Sequence, residues 1–209
     1  MKHALSAIAL LTLAACGQPA PVEPAAPAEP QFTPGQAFDL ACDVFESATV
    51  ATLGEQFGLS NVVEQTLPGA EGESYQATVL FPDDPRRRLE VIWADPAQTQ
   101  AAQVITSGDS GDWRGPNGVA LGQTIVEIEG ANGRPFELFG FGWDYGGTVG
   151  DWMGGDLGPR GDCAVRVRFA AGGADASVQG DRPFMSDAPA IRAAEPHVRE
   201  IALVFDRAG

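Results

Sequence analysis

Apolar positions recur along this chain in short segments whose period alternates between helical and extended. Thr49 reads as an N-cap, with Val50, Leu53 and Phe57 on one helical face and Gly58 as the stop. Upstream, Phe38, Ala41, Cys42 and Phe45 have helical spacing and predict a short helix within residues 34–46. Thr124-Ile-Val-Glu127 matches a capping box, with Ile125 and Ile128 on one face and Asn132-Gly133 ending a second helix. Residues 187–191 predict one more helical turn, closed before Pro196.

The extended segments are more numerous. Residues 62–67 read as a strand, followed by a turn-rich link at 68–72. Tyr75, Ala77, Val79 and Phe81 then alternate with Gln76, Thr78 and Leu80, and Leu89, Val91 and Trp93 alternate with Glu90 and Ile92. These two runs predict a hairpin, reversed by Pro82-Asp-Asp-Pro85, with Arg86, Arg87 and Arg88 as a solvated tip. Residues 97–105 fit a short helix or a strand, and 106–118 form a polar, glycine-rich loop carrying Trp113. Cys163, Val165, Val167 and Phe169 alternate with Ala164, Arg166 and Arg168 as an amphipathic strand, and 198–205 reads as a last one. Many strands and only short helices predict an α+β fold with an antiparallel sheet.

The two capped helices align at an offset of about 75 residues: Thr49 on Thr124, Val50 on Ile125, Leu53 on Ile128, Gly58 on Gly133. That spacing is the pattern of two fused helix-plus-sheet repeats, with halves near 36–110 and 111–209. On these helix-cap segments the body resembles the beta-lactamase-inhibitor-protein-like and SmpA-type lipoprotein domains. The resemblance implies a fold and transfers no functional residue.

Residues 132–147 concentrate aromatics and glycines. Phe136, Leu138, Phe139 and Phe141 predict a strand buried on both faces. Gly140, Gly142, Gly146 and Gly147 then predict a turn that displays Trp143, Asp144 and Tyr145.

Residues 1–15 do not belong to this body. Lys2 and His3 precede an apolar run too short to span a bilayer, the form of a secretory signal. It ends in Leu13-Ala14-Ala15-Cys16, which resembles the lipobox of bacterial lipoproteins. The resemblance implies cleavage before Cys16, acylation of Cys16, and permanent membrane attachment. In Gram-negative members of that family an Asp after the cysteine favours inner-membrane retention; with Gly17 and Gln18 there instead, the resemblance implies the outer membrane, facing the periplasm. Residues 16–35 are rich in proline and alanine and predict an extended tether; residues 36–209 have the length of one domain.

With Cys16 lipidated, Cys42 and Cys163 remain in an oxidising compartment and predict a disulfide. The whole chain has a formal net charge of −15, and Lys2, its only lysine, lies in the leader. Such a balance excludes nucleic-acid binding through phosphate neutralisation and docking on anionic headgroups.

Candidate chemistry is sparse. Gly108-Asp-Ser-Gly111 resembles the nucleophile segment of chymotrypsin-like proteases, but Asp112 replaces the last glycine of that motif. His197, the only histidine past the leader, follows the serine, where that family places it before. Asp109, Asp112, Asp144, Asp151, Asp156 and Asp162 lie in glycine-rich loops, which suits calcium, though no segment has the EF-hand pattern. Trp113, Trp143, Tyr145 and Trp152 near such aspartates also suit a sugar-binding cleft. The favoured reading is a non-catalytic envelope module that binds a protein or glycan partner without a cofactor. The alternatives are a carbohydrate- or peptidoglycan-directed enzyme and a calcium or small-ligand binder.

Overall fold

The computed structural model describes residues 30–173 and 176–206. Cys16 and most of the tether lie outside them. The chain is an α+β fold whose centre is a six-stranded antiparallel sheet in the order β2-β3-β4-β5-β11-β9. Those strands are β2 (Val62–Pro68), β3 (Ser74–Leu80), β4 (Leu89–Trp93), β5 (Ala101–Ser107), β9 (Cys163–Ala170) and β11 (His197–Phe205). A three-stranded sheet, β10-β7-β8, stands beside it, built from β7 (Glu137–Phe139), β8 (Val149–Asp151) and β10 (Pro183–Met185). Two-residue strands β1 (Phe38–Asp39) and β6 (Trp113–Arg114) form a parallel pair. Among the described residues, no helix is long and apolar enough to cross a membrane.

Among the described residues, four short α-helices accompany the sheets: α1 (Cys42–Glu46), α2 (Val50–Phe57), α3 (Ile125–Asn132) and α4 (Pro189–Ala193). Both capping sites form as the spacing predicts. In α2 the Thr52 N–H donates to Thr49 Oγ1 and the Thr49 N–H to Thr52 Oγ1, with Gly58 as C-cap. In α3 the Thr124 N–H donates to Glu127 Oε2 at 2.7 Å, and Gly133 takes the left-handed conformation that ends the helix. The segment predicted as one helix within 34–46 divides instead. Phe38 bridges to Trp113, far away in sequence, and only from Cys42 onward is the chain helical.

The β9 strand behaves as its pattern predicts, with Cys163, Val165, Val167 and Phe169 inward. The residues opposite them on β11 are Phe205, Leu203, Ile201 and Val198, all buried. Phe38, Phe45, Leu53, Phe57 and Trp113, from β1, α1, α2 and β6, belong to the same core cluster as these residues. Cys42 at the start of α1 and Cys163 at the start of β9 place their sulfurs at disulfide-bonding distance, which makes the body disulfide-stabilised.

β3 departs from its alternation. Register places Thr78 opposite Val91 and Leu80 opposite Leu89, so Thr78 and Leu80, not Tyr75, Ala77 and Val79, share the inner face. Val79 faces outward opposite Glu90 yet is fully buried. On that side of the sheet Arg88 Nη2 donates to Gln65 Oε1 on β2 and to Glu90 Oε1 on β4, the two strands flanking β3. The hydrocarbon stem of an arginine can shield apolar surface while its head stays polar. Phe81 reaches the core by another route: at φ +50° it leaves the strand and turns inward.

Within the predicted tether, Phe32 packs edge-on against Phe38 and Phe81 at 5.3 and 5.4 Å. The body thus extends a few residues further toward the N-terminus than its composition indicates.

Candidate functional site

The glycine-rich turn after β7 is where the structure exposes aromatic surface. Of 11 Phe, 4 Trp and 2 Tyr, only Trp143 and Tyr145 are exposed, at 62% and 65%. Asp144 is exposed between them. The turn closes by Gly146 N–H donating to Trp143 O at 2.7 Å, and Thr148 N–H donating to Tyr145 O at 2.9 Å.

Its base is held tightly. Phe141 N–H donates to Val178 O, Gly180 N–H to Phe141 O, and Phe169 N–H to Gly147 O. Arg168 Nε, on β9, donates to Gly146 O at 3.0 Å. Gly147 has φ +75°, and a Cβ there would stand 2.1 Å from Phe169 O, so only glycine lets the turn sit this close to the sheet. The result is a mobile-looking composition on a fixed base: two exposed rings projected from a backbone tied at both ends.

Beside the turn is an open hollow of about 410 Å³. Gly142, Gly146, Phe141, Phe169, Arg168 and Gln179 are among its lining residues. Tyr145 packs on the half-buried Phe139 at 6.1 Å. Phe139 is therefore not buried as the sequence predicts; β7 turns Phe136 and Leu138 inward and leaves Glu137 and Phe139 half-covered.

The two remaining tryptophans of the predicted cleft are elsewhere. Trp113 is buried at the centre of a cluster with Phe38, Phe45 and Phe57, and its indole N–H donates to Arg87 O at 2.7 Å. Trp152 is buried against Phe136 at 5.2 Å and donates to Val165 O at 3.1 Å. Each indole nitrogen is satisfied inside the fold, and neither ring can present a face to a ligand. A carbohydrate platform built from Trp143 and Trp152 together is not what this chain forms.

Asp112, Asp109 and Asp151 make bonds within the fold. Asp112 is buried and its Oδ1 accepts from Arg86 Nη2 at 2.6 Å. Asp109 pairs with Arg199, and the Ser110 hydroxyl accepts from Arg86 Nη1 at 3.2 Å. Asp151 Oδ1 accepts the Met153 N–H. His197 starts β11 opposite Ala170, and no hydrogen bond joins it to Ser110. Among the described residues, no three His, Cys, Asp or Glu side chains converge where they can hold a metal. Of the three arginines predicted as a solvated tip beside Asp83 and Asp84, Arg87 pairs with Asp84 and the half-exposed Arg86 with Asp112, while Arg88 pairs with Glu90 on β4.

Shifted acidities also mark structure. At Asp84 partial burial pushes the carboxyl up, but hydrogen bonds from Arg87 and the Arg86 N–H outweigh it and hold it below the usual range. Asp95 behaves likewise, its desolvation outweighed by the Thr99 hydroxyl and the N–H groups of Thr99 and Gln100. Glu127 is lowered by the Thr124 N–H and hydroxyl of its capping box. None faces the hollow, so these shifts reflect turns and caps and not a catalytic pair.

Sequence reasoning missed Asn132. It ends α3, but its buried side chain also donates to Trp152 O and Arg134 O at 3.0 Å and accepts from Leu157 N–H at 3.1 Å. The only signal was an asparagine at a helix end, which a cap explains equally well. Comparison with family models, with curated proteins and with solved structures found no match, so function has to be argued from this geometry.

Proposed function

We propose that the chain is a lipid-anchored cell-envelope protein whose disulfide-stabilised body works by binding, not by catalysis, with the Trp143-Asp144-Tyr145 turn as its contact surface. One observation carries the reading: the chain buries or half-buries every other aromatic ring and projects these two from a turn fixed by glycine at its base. Exposed tryptophan and tyrosine on a rigid backbone lose little conformational freedom on binding, and such residues dominate interface energetics. The lipobox at Cys16 and the proline-rich segment after it support attachment to the periplasmic face of the outer membrane, with the body held off the surface. The partner in this reading is an envelope protein or glycan.

Crosslinking in intact envelopes, followed by purification of the full chain, tests the proposal. Trp143→Ala with Tyr145→Ala should abolish the crosslinked species. Both side chains are mostly exposed, so the unfolding free energy should change by only about 0.5 kcal/mol per substitution. A crosslinking pattern identical to that of the unsubstituted chain refutes the turn as the contact. Separately, globomycin, an inhibitor of signal peptidase II, should leave the uncleaved precursor; normal processing refutes the anchor.

A further inference from the structure

The two borders of the six-stranded sheet are treated differently. Along β9 the outer edge is occupied: Phe169 N–H donates to Gly147 O, Thr148 bridges to Arg168, and Arg160 N–H donates to Cys163 O. Along β2 the outer edge has no strand beside it among the described residues. β2 runs seven residues without a bulge, a length and regularity that natural edges usually avoid because unpaired N–H and C=O groups template another strand.

The hydrogen bonds show which groups are open. Asn61 O accepts from Phe81 N–H and Gly69 N–H donates to Glu73 O, so odd-numbered residues of β2 direct their backbone toward β3. Val62, Glu64, Thr66 and Pro68 direct theirs outward. The Val62 N–H turns back to Leu59 O, and proline has none. The open donors are therefore Glu64 and Thr66, one on each side of Gln65.

We propose that this edge is the interface between two copies of the chain, with β2 pairing antiparallel to β2 about a two-fold axis at Gln65. A two-fold axis makes the same segment meet itself in reverse, and the outward parity of β2 leaves three central registers, with the axis at Glu64, Gln65 or Thr66. An axis at Glu64 sets the two Glu64 carboxylates face to face, which is repulsive. An axis at Thr66 puts Val63 opposite Gly69 and Leu67 opposite Gln65. An axis at Gln65 puts Val63, 39% exposed in the single chain, opposite Leu67 at both ends. It also sets Glu64 opposite Thr66, so both open N–H groups of each copy find a carbonyl: four hydrogen bonds. Only this register satisfies donors, apolar side chains and charge together. It joins the two sheets edge to edge and does not involve the Trp143 turn, so it stands or falls independently of what that turn binds.

Cysteine crosslinking of the full chain reads the register directly. With the axis at Gln65, that residue meets its own copy at a non-hydrogen-bonded position, where Cα atoms lie about 4.5 Å apart, within disulfide reach. Gln65→Cys should give an oxidised dimer, and Glu64→Cys or Thr66→Cys alone should not. Thr66→Pro removes only the outward N–H, a change edge strands tolerate, and should weaken self-association about thirty-fold through loss of two hydrogen bonds. Val63→Lys should weaken it too, and adding Leu67→Glu in the same chain should restore it, since only this register sets residue 63 against 67. Self-association should strengthen with salt, because each copy is strongly acidic. Sedimentation as a monomer at all concentrations, or stronger crosslinking at 64 or 66 than at 65, overturns the proposal. If Thr66→Pro fails to fold, the Val63 and Leu67 pair decides.

Discussion

The Cys42–Cys163 bond closes a loop spanning 121 residues, and its removal is the perturbation with the largest calculable effect. In the chain-entropy treatment, such a loop restricts the unfolded chain by about 16 cal/mol/K, or about 5 kcal/mol at room temperature. Replacing both cysteines with alanine also deletes two sulfur atoms. Cys163 is buried at the start of β9, so its cavity adds roughly 1 kcal/mol. Against a urea slope of about 2 kcal/mol per molar for a body of this size, the double variant should unfold roughly 2–3 M earlier. Reduction of the unsubstituted chain should reproduce most of that shift without the cavity contribution. The comparison separates the two effects: dithiothreitol reports the crosslink alone, and the alanine pair reports crosslink plus packing. A midpoint unchanged by reductant, or two free sulfhydryls in the denatured, unreduced chain, would refute the reasoning.

Two further outcomes follow from named contacts. Asp112 is nearly fully buried while its partner Arg86 is half exposed, so Arg86→Ala strands a carboxylate that water reaches poorly. The expected cost is about 1–3 kcal/mol, a fall in Tm of roughly 2–12 °C; a Tm unchanged within a degree removes the pair from the account. Tyr75 is raised above the ordinary phenol value by partial burial first and then by Glu90, whose Oε2 accepts its hydroxyl at 3.2 Å. A group with a raised folded pKa contributes its stability fully below the unfolded value of about 10 and loses it as pH rises through the folded one. Denaturation midpoints should therefore fall above pH 10, and Tyr75→Phe should flatten that fall; an identical pH profile in the variant argues against it.

What the sequence made legible was what neighbouring residues decide among themselves. Both capping boxes link residues three apart, so Thr49 and Thr124 declared their helices without help from the rest of the fold. β9 was legible for a related reason: one of its faces meets the core and the other does not, which writes alternation into the chain. β3 and its hairpin with β4 were legible as well, but not which face of β3 points inward, because Ala77, Thr78, Val79 and Leu80 are buried on both sides of it. The length of the 34–46 helix was misread because Phe38 takes its conformation from Trp113, a partner that no local window contains.

The aromatics show the same boundary at the candidate site. Trp113, Trp143 and Trp152 all sit in glycine- and aspartate-rich stretches, and composition treats them alike. Their fates are set by what each indole finds. Trp113 meets the carbonyl of Arg87 and a ring cluster, and Trp152 meets the carbonyl of Val165 and Phe136. Burial of either ring is favourable because its one polar atom is satisfied there. Trp143 is held away from any such partner by the turn that Gly146 and Gly147 close, since the Gly146 N–H bonds to Trp143 O and Gly147 is pinned beneath Phe169. The glycines thus decide the exposure of a residue they do not touch through its side chain. Gly147→Ala is the substitution that separates the two possibilities. If the turn is a consequence of its base, the Cβ clash with Phe169 O should displace the tip and weaken partner crosslinking as much as removing Trp143 does. If crosslinking survives, the aromatics act without the backbone that presents them.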